Sequence, residues 1–169
     1  MKTILWATLS ANGNYAQSSA ENPPKTEAVN DFVNQARAVG NFIVGRKTFE
    51  SFATNGGGPF SGLDIVVVSQ SAKELPGAQV VASPKEALAY LQAKGHQRAL
   101  LVGGAALHNA FLAQELVDEF IFDIAPVLEG KGYNLLLDQN NYKYKKAQLM
   151  DFKPLGNGVV QLHYALEDA

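Results

Sequence analysis

Twice in this chain of 169 residues a short apolar run ends in glycine and passes at once into a helical pattern. The first copy is Phe42-Ile43-Val44-Gly45-Arg46-Lys47-Thr48, the second Leu100-Leu101-Val102-Gly103-Gly104-Ala105-Ala106-Leu107. An apolar run bounded by glycine reads as a buried strand, and a glycine at its end lets backbone approach a ligand closely. The helix that follows offers N–H groups with no partner inside the helix, and with the helix dipole these favour an anion such as a pyrophosphate. Two copies, with Arg46 and Lys47 at the first, point to a phosphorylated dinucleotide held between two crossings of one sheet. Taken singly, each motif is equally well read as a tight strand-to-helix turn.

Other residues bound the class of protein. The length suits a single domain over residues 1–169. The chain has no cysteine, which excludes disulfides, thiolate metal sites and a Cys nucleophile and is compatible with a reducing cytoplasm. Lys2 followed by Thr3, Ile4, Leu5, Trp6 and Ala7 resembles the start of a leader, but the polar stretch 10–19 cuts the run short, so it reads as a first strand. No run approaches the ~20 apolar residues of a membrane span. A net charge of -2 and a pI near 5.9 argue against a nucleic-acid surface. The expected partner is a small molecule, with no nucleic acid, no membrane and no bound metal.

Strands are expected at 3–9, 42–44, 65–68, 79–82, 98–102 and 117–127, with helices at 26–39, 47–52, 84–95 and 105–112. Thr26 is the expected N-cap of the first long helix and Gly40 its stop, while Ser83-Pro84-Lys85-Glu86 opens a later one. Segments 144–152 and 159–166 flank Pro154-Leu155-Gly156-Asn157-Gly158 and suit an antiparallel hairpin. Segment 15–25 reads as a long surface loop and 55–59, with its three glycines, as a flexible turn. Alternation of strand and helix followed by a run of strands implies an α/β fold: a mixed, mostly parallel sheet flanked by helices, with an antiparallel C-terminal hairpin. Ligands of such sheets bind beyond the carboxyl ends of the parallel strands, where Gly45, Ser69, Gln70, Gly103 and Gly104 fall.

The ordered set of motifs resembles a known family. Residues 43–52 are similar to the cofactor-binding helix start of dihydrofolate reductases, and 101–107 to their second glycine turn. Val117-Asp118-Glu119 with 125–132 resembles more closely the reductase domain of the bacterial riboflavin-biosynthesis deaminase-reductase, which shares the dihydrofolate reductase-like fold. The resemblance covers nearly the whole chain and implies an NADPH-dependent reductase acting on a small pyrimidine-like, pterin-like or related substrate. It implies that Gly45, Arg46, Lys47 and Thr48 face the phosphates of the adenosine half. Ser69 and Gln70 would lie near the 2′-phosphate, Gly103, Gly104, Ala105, Ala106 and Leu107 near the pyrophosphate, and Thr8 beside the nicotinamide. It also implies a homodimer, in keeping with the apolar β-surface of 117–127 and the late hairpin.

The proton donor is where the pattern departs. Dihydrofolate reductases carry a carboxylate on the helix before the Gly-Arg turn, yet an ungapped count back from Gly45 lands on Val29. Glu27 and Asp31 are the nearby acids, with Asp31 the better candidate for a catalytic role. A simple helical wheel nevertheless sets both opposite a Val29, Val33 and Ala36 stripe, facing solvent. Two alternatives stay open: a true dihydrofolate reductase, and a non-enzymatic NADP-binding or sensing protein without a proton donor. The Asn12 turn stands where many relatives have Asp before Gly. His96, His108 and His163 form no constellation; Phe120 and Phe122 read as core or subunit interface and Trp6 as core.

Overall fold

The computed structural model describes residues 1–15, 21–52, 58–135, 137 and 140–168. Within them the chain runs β1 (Lys2–Ser10), α1 (Thr26–Val39), β2 (Asn41–Gly45), α2 (Arg46–Phe52), β3 (Asp64–Val68), β4 (Gln79–Val81) and α3 (Pro84–Ala93). It continues through β5 (Arg98–Gly103), α4 (Ala105–Ala113), β6 (Glu119–Ala125), β7 (Ala147–Gly156) and β8 (Val159–Leu166). All eight strands join one sheet in the order β4-β3-β2-β5-β1-β6-β8-β7. Pairs from β4 through β6 are parallel, and β6-β8 and β8-β7 are antiparallel. This is the expected α/β architecture with its C-terminal hairpin. The expected loop at 15–25 and turn at 55–59 fall in part on 16–20 and 53–57, which lie outside the described residues.

Local chemistry sets the boundaries. Gly40 ends α1 at φ 86°, its N–H bonded to Ala36 O, a left-handed stop that glycine adopts without a Cβ penalty. The start of α1 differs from expectation: Lys25 is the N-cap, with no side-chain bond, and Thr26 is the first helical residue. Ser83 does cap α3, its hydroxyl accepting from Glu86 N, while the Glu86 carboxylate accepts from Ala82 N. The β7-β8 turn is Asn157-Gly158 with φ 50° and 82°, the left-handed pair that a two-residue hairpin requires.

Two cores sandwich the sheet. On one face Ile4, Trp6, Phe42, Val44, Leu100 and Ile121 pack against Phe32 and Ala36 of α1 and Phe49 of α2. On the other, Leu5, Ala7, Leu9, Ile43 and Leu101 pack against Ala87 and Leu91 of α3 and Leu107 and Phe111 of α4. The helices that follow β2 and β5 therefore lie on opposite faces, and their N-termini meet over the same carboxyl edge. Phe120 and Phe122 lie against each other with their rings tilted by 32° and centroids 4.7 Å apart, as partly buried members of the second core.

α1 carries a correction. Its inward residues are Ala28, Asp31, Phe32 and Ala36, while Val29 is 47% exposed. Phe32 sets this face: its ring lies 5.3 Å from Trp6, 5.4 Å from Phe42 and 5.2 Å from Phe60, measured between centroids. Burying an aromatic ring outweighs burying one valine, so the helix turns by about one residue from the simple wheel. That rotation brings Asp31 inside.

Candidate active site

The two glycine crossings meet. β2 and β5 are neighbours with Val44 opposite Gly103, and a Cβ built on Gly45 would lie 3.7 Å from Gly103 O and 3.8 Å from Gly104 N. A Cβ on Gly104 would lie 3.4 Å from the Thr48 hydroxyl. Gly45, Gly103, Gly104 and Thr48 thus form one seam of bare backbone with a hydroxyl beside it. No side chain caps α4, so nothing from a cap competes for the N–H groups of Ala105 and Ala106. The Leu107 side chain is buried in the core, away from the seam's bare backbone.

The other expected cofactor residues lie around this seam. Arg46 opens α2 and makes an exposed pair with Glu50 at 3.4 Å, and Lys47 beside it is exposed. Ser69 and Gln70 follow β3, whose last residue pairs with Gly45. The Ser69 hydroxyl accepts from Ser71 N and Ala72 N and so shapes its own turn, while Gln70 is exposed. Thr8 pairs in register with Asp123 of β6. The peptide between Gly103 and Gly104 is cis.

A second cluster lies on the α1 face. Asp31 is 8% exposed and accepts from Trp6 Nε1 at 2.9 Å, Gln161 Nε2 at 2.7 Å and Gln35 Nε2 at 3.3 Å. Asp123 is fully buried within hydrogen-bonding reach of Asp31, and its Oδ1 accepts from the same Gln161 amide at 3.1 Å. Burial, then the neighbouring Asp31 carboxylate, pushes the Asp123 carboxyl up to about 8. The expectation that Asp31 faces solvent is therefore overturned. Glu27 does face outward, bonded to Asn157.

Sequence reasoning missed Asp123 and Gln161. One signal was present. Glu119, Ile121, Asp123 and Ala125 share the buried phase of β6, and an acid in that phase is unusual enough to flag. Trp6, read as core, also donates to the acid.

Behind the glycine seam, His108 is fully buried, 3.2 Å through Cε1 from where a Gly103 Cβ would stand. Its Nε2 lies 3.3 Å from Leu101 O and its Nδ1 2.6 Å from the Tyr15 hydroxyl. A neutral ring that donates from Nε2 and accepts the Tyr15 O–H at Nδ1 satisfies all three groups. Burial lowers the His108 imidazole to about 4 and raises the Tyr15 phenol. Asn12 is structural: it accepts from the Ser10 hydroxyl and Glu129 N and donates to Glu129 O. His96 pairs with Asp64, and His163 with Glu119, away from the seam. Among the described residues no group of three or more His, Asp or Glu is placed to hold a metal ion, and no helix is long and apolar enough to cross a membrane.

Comparison with known proteins agrees with this architecture. The uncharacterized protein YwjB of Bacillus subtilis strain 168 is 28% identical over 96% of this chain and 97% of its own. A protein of Shewanella sp. PV-4 provisionally assigned to riboflavin biosynthesis superposes with a TM-score of 0.76 at 22% identity, covering 99% of this chain and 100% of that one. A pyrimidine reductase-like protein of Corynebacterium diphtheriae gives 0.78 at 15% identity, over 99% and 92%. The RibD protein of Acinetobacter baumannii gives 0.74 at 18% identity, and this chain spans 58% of its length. Residues 2–161 match the family model of the RibD C-terminal domain, and the chain belongs to that family, with its dihydrofolate reductase-like fold.

Proposed function

We propose that this protein is an NADPH-dependent reductase of a small pyrimidine-like or related substrate. The observation that carries the reading is the seam where Gly45, Gly103, Gly104 and Thr48 meet at the carboxyl edge of the parallel strands. A pyrophosphate needs close backbone approach and free N–H donors, and a single Cβ at Gly104 would intrude there. In this reading Gly45, Arg46, Lys47 and Thr48 hold the adenosine-side phosphates and Gly103, Gly104, Ala105, Ala106 and Leu107 line the pyrophosphate. Ser69 and Gln70 lie near the 2′-phosphate and Thr8 beside the nicotinamide. When bound, the dihydronicotinamide supplies the hydride. Asp31 then holds or passes the proton, positioned by Trp6, Gln35 and Gln161.

Membership of the RibD C-terminal family supports a pyrimidine over a folate substrate. The rival reading, a binding protein without a proton donor, loses its motive once Asp31 is inside. A cytoplasmic setting goes with the metabolic reading. NADPH oxidation against pterins, ribityl- or ribosylamino-pyrimidines, dihydrofolate and simple carbonyls tests the proposal. Turnover is expected with a pyrimidine and little or none with dihydrofolate. Gly104→Val should abolish NADPH binding in a protein that still unfolds cooperatively. Wild-type protein that neither binds nor oxidises NADPH overturns the reading.

The reductase is further proposed to act as a homodimer. β7 is an edge strand on which Leu149, Met150 and Phe152 are 47%, 54% and 65% exposed, an unpaired apolar edge that a second copy would cover. Light scattering should give about twice 18.2 kDa, and a monomer mass at micromolar concentration ends the idea.

A further inference from the structure

We infer that Asp31 and Asp123 share a single proton, stored on the inner carboxyl, Asp123, and passed through the outer one, Asp31, to the substrate. The inference rests on the reductase reading for the last step but not for the sharing.

Three observations on geometry lead there. The carboxyl groups come from different elements, α1 and β6, yet lie within hydrogen-bonding reach of each other and of one amide, Gln161 Nε2. Two adjacent buried carboxylates cannot both stay ionised without a cation, and none among the described residues faces them. From β1 come Trp6 and Thr8, from β8 Gln161, from α1 Gln35, all uncharged; Glu27 points away to Asn157.

The donors are also unequally divided. Asp31 receives three N–H groups. Asp123 has no donor of its own, sharing the Gln161 amide and the reach of the Trp6 indole with Asp31, and its Oδ2 is buried with no hydrogen-bond partner. An unsatisfied oxygen is tolerable on a neutral carboxyl and costly on an ionised one. The raised Asp123 carboxyl agrees with this division.

The pair has an outside and an inside, since Asp31 keeps 8% exposure and Asp123 none. Residues in register on parallel strands point to the same face, so Asp123 is the neighbour of Thr8, where the nicotinamide is proposed to lie. When bound, a dihydronicotinamide would supply a hydride with its electron pair to the carbon of a C=N or C=O bond. The π pair moves onto the heteroatom, which takes the pair's proton. The cofactor is oxidised, the substrate reduced, and the two carboxyls regain their proton from water.

Ligand-free protein labelled with ¹³C at the aspartate Cγ tests the sharing directly. Between pH 4 and 10, one Cγ resonance should titrate near pH 8, vanish in Asp123→Asn and move down by at least one pH unit in Asp31→Asn. Wild-type protein in which every aspartate finishes titrating below pH 6 overturns the shared proton without any need for a variant. The delivery step is read from turnover: the wild-type rate should fall as pH rises through about 8, and Asp123→Asn should lose that limb. A limb that persists unchanged in Asp123→Asn overturns delivery through Asp123. A pH 8 resonance in a protein that does not bind NADPH upholds the sharing and removes the reductase reading, so the two failures are distinguishable.

Discussion

The two halves of the candidate site are built on opposite plans. The glycine seam is backbone: its residues come from two strand-to-helix crossings, each contiguous in sequence, and its chemistry lies in what is missing, a Cβ. The acid cluster is side chain: Trp6, Asp31, Asp123 and Gln161 come from β1, α1, β6 and β8, and no two are closer than 25 positions in the chain. Backbone sites announce themselves locally, whereas side-chain sites exist only after the sheet has assembled. Their energetics differ too. A bare seam costs the fold little, while a buried pair of acids has to be satisfied donor by donor.

The comparison breaks most visibly at Asp31. If its burial has a chemical purpose, Asp31→Asn should lower turnover by about a hundredfold or more, since a positioned acid contributes roughly 10²- to 10⁴-fold, with NADPH affinity little changed. Glu27→Gln, on the exposed turn of the same helix, should stay within about twofold. Steady-state rates and a cofactor titration on both variants decide it. Equal and small losses for the two would reduce the acid cluster to packing.

That contrast also marks what the sequence could carry. The succession of strands and helices along the chain, the Gly40 stop, the Ser83 cap and the 157–158 hairpin turn depend on short-range rules, and each was legible. So was the seam, because Val44-Gly45 and Gly103-Gly104 declare their conformation in place. The orientation of α1 was not. Its wheel offered Val29 and Val33 against Phe32, and the choice depended on partners, Phe42 and Phe60, whose location only the fold supplies. Once α1 turns on Phe32, Asp31 follows inward, and Asp123 and Gln161 are drawn into the same account through a β6-β8 register, Asp123 opposite Gln161, that no local pattern encodes.

His108 sharpens the comparison from the seam's underside, where the backbone plan does include one buried side chain. Its folded-state value, near 4, lies below the ordinary 6.5, so between those values the unfolded chain binds a proton that the native protein does not. Its contribution is therefore present above pH 6.5 and lost as pH falls toward 4, by at most about 1.4 kcal/mol per pH unit. Asp123 has the opposite sign: its folded-state value is raised to about 8, so its contribution is present at low pH and lost as pH rises through that value. Relative to wild type, His108→Gln should gain stability as pH falls from 6.5 to 5, by about 2 kcal/mol or some 4–8 °C in thermal midpoint. Asp123→Asn should gain as pH rises from 5 to 8. Differential melting curves check both, and parallel curves for wild type and His108→Gln would mean that the ring titrates normally in the native state.

Arg46 tests the seam's outer edge, where the smallest effect is expected. Its guanidinium is partly exposed and, among the described residues, held by Glu50 at 3.4 Å on the next turn of α2, a surface pair worth a few tenths of a kcal/mol. Such a pair yields readily to a phosphate, for which the planar fork of donors is better suited than for a distant carboxylate. A charge-assisted contact is worth about 1.5–3 kcal/mol when dry, and exposure brings it to the low end, near the 1.4 kcal/mol that corresponds to a tenfold change. Arg46→Ala should therefore weaken NADPH about tenfold and NADH by less than twofold, with the gap closing as salt is raised. Glu50→Gln, which frees the guanidinium, should leave NADPH binding unchanged or slightly tighter. Parallel titrations of both cofactors at low and high ionic strength give the answer, and equal losses for NADPH and NADH would return Arg46 to the solvated surface and leave cofactor recognition to the bare backbone alone.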